Sequence, residues 1–257
     1  MANVAVLIDA DNVSPTWIEQ VLDEAGKLGT LALKRVYGDF SRHERSWRDL
    51  CARFAIHPVQ QFPNTKGKNA SDIAMVIDAM DLLHSERYES FCLVSSDSDF
   101  SRLATRLRED GVVVWGFGEQ KTPEAFVKAC SKFVYVEILQ PADLDDLNPL
   151  LSDQPAVAEP AQLLAIDKRL KRLLSDALVK LSDDEGWANL SGIGSLLGQQ
   201  HPDFDSRNYG YAKLSSLIKA TGWFEVQPPG PANRSTLVRL VPKQKAPKAR
   251  TTKVAKA

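Results

Sequence analysis

Three cysteines and four histidines are all the thiol and imidazole groups in this 257-residue chain. Cys51, Cys92 and Cys130 are odd in number, and none stands in a C-x-x-C pair. That argues against a disulfide framework and a thiolate zinc site, and it fits a reducing cytoplasm. His43, His57, His84 and His201 are scattered, without the spacing of a zinc hydrolase. There is no Walker A sequence, no G-x-G-x-x-G after the first apolar run and no G-x-S-x-G. The common nucleotide-binding and serine-hydrolase classes are thereby removed. No apolar run is long enough to span a bilayer, so no membrane partner is expected. The opening residues, MANVAVLIDADN, reach an acid too early for a signal peptide. A cytoplasmic protein is the expectation.

What the chain does have is acid at particular places. VAVLID and FCLVSS are unbroken apolar runs of the kind that form strands covered on both faces. Asp9 closes the first; Asp97 and Asp99 follow the second, in SSDSDF. Asp72 opens the helical pattern NASDIAMVIDAM. In an open α/β sheet the carboxyl ends of central strands converge on one crevice. Several carboxylates gathered there repel one another and resist ionising together. Such a cluster suits a hard divalent cation, Mg²⁺ or Mn²⁺, which takes oxygen ligands. Each acid also has a plainer role available. Asp9 can belong to an Asx turn with Asp11 and Asn12. Asp72 can complement a helix dipole, and Asp97 or Asp99 can cap the following helix. Asn12, Ser95 and Ser96 can bind substrate or only satisfy their turns. Lys66 and Lys68, in TKGKNASD, can hold a phosphate backbone or form an exposed polar loop. Asp78 and Asp81, on other faces of the Asp72 helix, are expected to be surface acids.

The pattern over residues 1–140 alternates strand and helix, which predicts a parallel sheet with right-handed crossovers and helices on both faces. A helix is expected from Ser14-Pro15 to Gly29, and others near 43–54, 71–83, 100–109 and 123–130. The last strand is expected over 133–138. Residues 141–160 read as an acidic, proline-containing linker. Residues 161–241 read as a smaller domain. It opens with a helix faced by Leu163, Ile166, Leu170, Leu173, Leu174, Ala177, Leu178 and Leu181, and two helices follow, near 190–200 and 207–221. Two strands, near 223–226 and 236–241, complete the order of a winged helix-turn-helix. Residues 242–257 carry six basic side chains and no acid. That leaves 26 of the 32 basic residues against 33 acids, a charge of about −7 on the rest of the chain. A basic tail on an acidic body often touches nucleic acid.

Three motifs together carry a family resemblance. VAVLIDADN, KGKNASDIAMVIDAMD and FCLVSSDSDFSRLATRLREDGVVVWGFG resemble the NYN domain of the PIN-like nuclease superfamily, to which the LabA-like proteins belong. The resemblance covers roughly Val4 to Ile138. It implies a Rossmann-like PIN/NYN sheet and a metal-dependent ribonuclease site. The family's motif positions fall on Asp9, Asn12, Asp72, Asp97 and Asp99. The segment from Trp187 to Val226, with Pro202, Phe204, Asp205, Tyr209, Gly210, Lys213, Leu214 and Leu217, resembles an OST-HTH (LOTUS) domain. That resemblance implies RNA binding, with a leaning to guanine-rich RNA. Arg207, Lys213 and Lys219 are the candidate RNA contacts there, against the alternative of a solvated face.

The expectation is therefore an Mg²⁺- or Mn²⁺-dependent ribonuclease, with Asp9, Asp72, Asp97 and Asp99 as metal ligands and catalytic acids. RNA, single-stranded or structured, is the expected partner, and a homodimer is compatible with the reading. Two rivals stand beside it. A non-catalytic RNA-binding adaptor needs no turnover. A haloacid-dehalogenase-type phosphatase would use Asp9 as nucleophile and Asp11 as acid-base, but it leaves Asp72 unexplained.

Overall fold

The computed structural model describes residues 1–41, 44–61, 70–139, 160–229 and 235–241, with backbone alone for 44–45 and 160–167. Lys66, Lys68, the basic tail and the linker up to its final Pro160 lie outside the described residues, as do the side chains of Leu163 and Ile166. The chain divides into two compact units, Met1–Glu159 with Ser195–Leu214, and Pro160–Gly194 with Ser215–Ala257.

The first unit is built on six parallel strands: β1 (Asn3–Asp9), β2 (Thr30–Gly38), β3 (His57–Gln60), β4 (Ser90–Val94), β5 (Val113–Gly118) and β6 (Lys132–Tyr135). Their order is β3-β2-β1-β4-β5-β6. The chain winds outward from β1 through β2 to β3, then crosses back to start the other half at β4. The winding direction therefore reverses between β1 and β4, where an open α/β sheet leaves a crevice. Five helices provide the crossovers: α1 (Ile18–Ala25), α2 (Glu44–Phe54), α3 (Ala70–His84), α4 (Ser101–Glu109) and α5 (Glu124–Ala129).

β1 displays the two-sided core residue by residue. Val4, Val6 and Ile8 pack with α1 and with Trp47 of α2 on one face. Ala5 and Leu7 pack with α3, α4 and α5 on the other. Alternation along a strand puts Asp9 on the same side as Ala5 and Leu7, toward α3. All five residues from Val4 to Ile8 are fully buried, which explains why the sequence shows no polar alternation there.

Several boundaries depart from the sequence expectations. The first helix opens as a 3-10 turn, Pro15–Trp17, capped by Ser14, and α1 ends at Ala25 rather than reaching Gly29. Strand β6 ends at Tyr135, and Val136–Ile138 tighten into a 3-10 turn.

In the second unit α6 (Pro160–Leu181) buries Leu170, Leu174, Ala177 and Leu178. Ile193, Leu217, Ile218, Phe224 and Val238 are buried in the same unit. Leu181, expected on that face, is 41% exposed. Strands β7 (Ala188–Asn189), β8 (Phe224–Gln227) and β9 (Leu237–Leu240) form an antiparallel sheet in the order β7-β9-β8. The two-residue β7 is too short to leave a periodic signal. Helix α7 (Leu190–Gln200) begins in this unit. The helix expected over 207–221 is interrupted: the 3-10 turn Ser206–Tyr209 and Gly210, left-handed with φ 81°, fall in the first unit, and α8 runs Leu214–Thr221. A glycine accepts that backbone without strain, so it ends one element and frees the next. Among the described residues no helix is long and apolar enough to cross a membrane.

Candidate active site

Asp9 stands at the carboxyl end of β1, 1% exposed. Its side chain is held from several directions. Oδ1 accepts from the backbone N–H of Asp11 at 3.0 Å and of Asn12 at 3.3 Å. Oδ2 accepts from Asn12 Nδ2 at 2.9 Å and from Ser95 Oγ at 2.7 Å. Burial still pushes the carboxyl above its ordinary range, against the lowering effect of Ser95, Asn12 and the Asp11 amide. The Asx turn and the crevice position thus coincide. Asn12 is an orienting group for Asp9 rather than a free arm.

Ser95 joins two of the acids. Its buried hydroxyl donates to Asp9 and accepts the Asp97 backbone N–H at 3.0 Å. Ser96 behaves differently, since its Oγ accepts the Glu119 N–H at 2.9 Å and so ties down the loop after β5. Space here is fully used: a Cβ on Gly118 would lie 2.5 Å from the Ser95 carbonyl oxygen. Replacing Ser95 with alanine should cost about 1–3 kcal/mol, because Asp9 would lose a donor in a buried site. Urea unfolding of metal-free protein at pH 7 measures this. The deficit should shrink as pH falls and Asp9 takes up a proton.

Asp97 caps the 3-10 turn Ser98–Phe100, its Oδ1 accepting the Asp99 N–H at 2.9 Å. Asp72 sits in the first turn of α3, where the helix dipole favours an acid. Burial, then the charges of Asp9, Asp97, Asp11 and Asp99, push Asp72 up to about 6. Five carboxylates therefore share one field at the reversal between β1 and β4. Sequence alone offers Asp11 only a place in a turn or in the phosphatase alternative. In the structure it belongs to this group, and the Ser71 hydroxyl of α3 donates to its Oδ2 at 2.9 Å.

The acids share a field without forming a closed cage. Among the described residues no three His, Cys, Asp or Glu side chains lie close enough to hold a metal ion between them. The reason is local: Asp9 answers four donors, and Asp97 caps its own turn. The donor chemistry nevertheless fits a hard divalent cation, being all oxygen, with Asp72 pushed up to about 6 by burial and by its neighbours' charge.

Asp78 is not the surface acid that helical geometry suggested. Its Oδ2 accepts from Arg35 Nη1 at 2.7 Å and from the Tyr37 hydroxyl at 2.8 Å. Tyr37 is fully buried and pairs with Asp9 in the β1–β2 register. The pair of bonds fixes α3, the helix that carries Asp72, against β2. Asp81 is exposed as expected. Arg207 is half-buried and bidentate toward Glu24, with Nη1 and Nη2 at 3.0 and 2.9 Å, and it also donates to Asp205. That guanidinium is thus paired within the first unit. Lys213 and Lys219 are exposed.

A doubly wound parallel sheet with acids gathered at its reversal point defines the class: a PIN-like nuclease domain. The chain belongs to the NYN domain family, whose match spans residues 3–139. An OST-HTH/LOTUS domain matches residues 161–236. Together they make the protein a ribonuclease with an RNA-binding module. No curated protein matches the chain. Among solved structures it is similar to a protein of unknown function from Vibrio parahaemolyticus. That match is 20% identical, covers 52% of this chain and 92% of the other, and has a TM-score of 0.45. It is also similar to residues 175–257 of a Chromobacterium violaceum protein solved by NMR. There the identity is 28%, the coverage 32% and 91%, and the TM-score 0.25.

Proposed function

We propose that the protein hydrolyses RNA phosphodiester bonds at the Asp9–Asp72–Asp97–Asp99 crevice, with Mg²⁺ or Mn²⁺ as cofactor. The observation that carries this reading is the field on Asp72, raised to about 6 by burial and by four other carboxylates. Like charges gathered in one crevice are costly to the fold and useful to a cation. Asp72, Asp97, Asp99 and Asp9 would hold the ion, with Asp11 beside them. A bound ion supplies neutralisation of the phosphate and acidifies a water. The chain's own groups do the rest. Asp9 is locked by Asn12 and Ser95, so its carboxylate cannot swing away. The backbone of Asp97 is tied to Asp9 through the Ser95 hydroxyl. Asp72 rides on α3, which Tyr37 and Arg35 anchor through Asp78. No side-chain nucleophile is needed, in keeping with three free cysteines, two of them buried and pushed up in pKa by that burial. The same cysteines favour a reducing, cytoplasmic setting.

In the division of labour we infer, residues 1–140 cleave and residues 161–241, with the basic tail, retain RNA. The acidic body repels the substrate, so exposed cations in the second half carry binding. Reversing Lys213 and Lys219 to glutamate should weaken RNA binding at least about tenfold and reduce the log–log salt slope by roughly 0.7 for each phosphate no longer neutralised. Filter binding at several salt concentrations checks this. An unchanged slope removes both lysines from the interface. The test of function itself is turnover: pure protein with labelled single-stranded RNA, with Mg²⁺, Mn²⁺ or EDTA. Cleavage in either metal and none in EDTA is expected. Guanine-rich and mixed sequences belong in the same assay.

A further inference from the structure

Beside the carboxylates runs a groove of about 230 Å³, lined by Asp72, Ile73, Val76, Ile77, Asp99 and Phe100. Its composition is split. Asp72 and Asp99 are two of the proposed catalytic acids, while the remaining wall is aliphatic and aromatic. Ile73 and Ile77 are 60% and 55% exposed. They lie four residues apart, one turn of α3, on the side opposite its buried Met75, Ala79 and Leu83. Single exposed isoleucines are ordinary, but two stacked over a groove that ends in catalytic acids are an apolar surface with a location.

We propose that this groove is a nucleoside subsite: it takes the base and ribose of the nucleotide adjoining the scissile phosphate. The proposal rests on the nuclease reading above and names where that substrate lies. Three features select the occupant. Phe100 is itself buried beneath the groove, so what is open to a ligand is Ile73 and Ile77, and anything seated on them has Asp72 and Asp99 at its end and must be joined to the group those acids act on. A base presents a flat apolar face and needs no charge beneath it, and base-flipping enzymes hold bases between aromatic or apolar side chains. A second copy of this chain fits poorly, because an isologous contact would bring two sets of acids together at short range. Contact with the aliphatic side chains of Ile73 and Ile77 carries no hydrogen-bond code, so the subsite reads the presence of a base and not its identity.

The experiment uses full-length Asp97→Asn protein, so that RNA is bound and not consumed, and a single-stranded oligonucleotide with one abasic nucleotide stepped along it. One position should lower affinity by roughly tenfold, the loss expected for an unstacked base. In an added Ile73→Ala, Ile77→Ala background that penalty should vanish, while intact RNA binds about tenfold more weakly. Both substitutions are on an exposed helical surface and improve helix propensity, so the fold is retained. In the cleaving parent the same pair should raise KM by a similar factor and leave kcat nearly unchanged. The proposal is overturned if no abasic position matters, or if the penalty persists undiminished in the double variant. A change of oligomeric state with unaltered RNA binding also overturns it, and would assign the face to a second copy. A wild type that binds RNA but never cleaves it contradicts the nuclease reading alone, since the abasic comparison needs no turnover.

Discussion

Asp97→Asn is expected to yield a folded protein that binds RNA and cleaves it about a hundred- to a thousandfold more slowly, or not measurably. The substitution is close to isosteric. Asparagine can keep the bond from the Asp99 N–H, and it is as good a cap residue as aspartate. The backbone N–H of residue 97 still reaches Ser95. What disappears is one formal charge at the place where phosphate charge must be offset. Loss of a single preorganised electrostatic group in an active site typically costs that factor. Cleavage and melting temperature should be read on one preparation, so that lost activity cannot be mistaken for lost fold. An unchanged rate in the pure variant would remove Asp97 from the chemistry and bring the adaptor alternative to the front.

Asp72→Asn should do something less intuitive, stabilising the metal-free protein at pH 7 by about 1–2 kcal/mol. The native carboxyl titrates near 6 instead of 3.8. A raised folded-state pKa means that the group's contribution to stability is fully present below the unfolded value and is lost as pH rises through the folded one. At pH 7 the ionised form strains the native state. The full shift corresponds to roughly 3 kcal/mol at 1.36 kcal/mol per pH unit. Solvent screening at a partly exposed carboxylate and the forfeited helix-dipole interaction reduce it. The advantage should fade between about pH 6 and pH 4 and be absent below. Saturating Mg²⁺ or Mn²⁺ should reverse the ranking. An ion at a hundred times its dissociation constant adds about 2.7 kcal/mol to whichever protein binds it. Urea titrations at pH 7 and pH 4, in EDTA and in metal, give the four comparisons. Equal stability of both proteins under all four would mean that Asp72 feels neither the other acids nor an ion.

How much of the fold and site is legible in the sequence depends on what each residue's signal is made of. VAVLID and FCLVSS announce buried strands because burial on both faces leaves no polar alternation to confuse the pattern, and the acids that follow fall at the sheet's reversal by topology alone. Ser95 and Ser96 are not separable from sequence. Both are serines after a strand, and only the position of β1 and β5 decides that one holds Asp9 while the other holds the Glu119 amide. Asp78 passes for a surface acid because the helical angle tells which residues share a face but not what packs against it. Arg35 and Tyr37 come from another strand, more than forty residues earlier. The pairing of Arg207 with Glu24 is hidden for a similar reason, since no local pattern connects the two. The two-residue β7 and the break at Gly210 are set by pairing and by a single left-handed residue, below the resolution of periodicity.

The central claim is that water, not a group on the RNA or the protein, attacks the phosphodiester in a reaction that needs a divalent ion. The most direct test is cleavage of single-stranded RNA in ¹⁸O-labelled water with Mn²⁺, followed by mass spectrometry of the product ends. One ¹⁸O in a product phosphomonoester after a single turnover, with no cleavage in EDTA, is the predicted result. A 2′,3′-cyclic phosphate without label, cleavage that persists in EDTA, or intact RNA under all conditions would contradict the account.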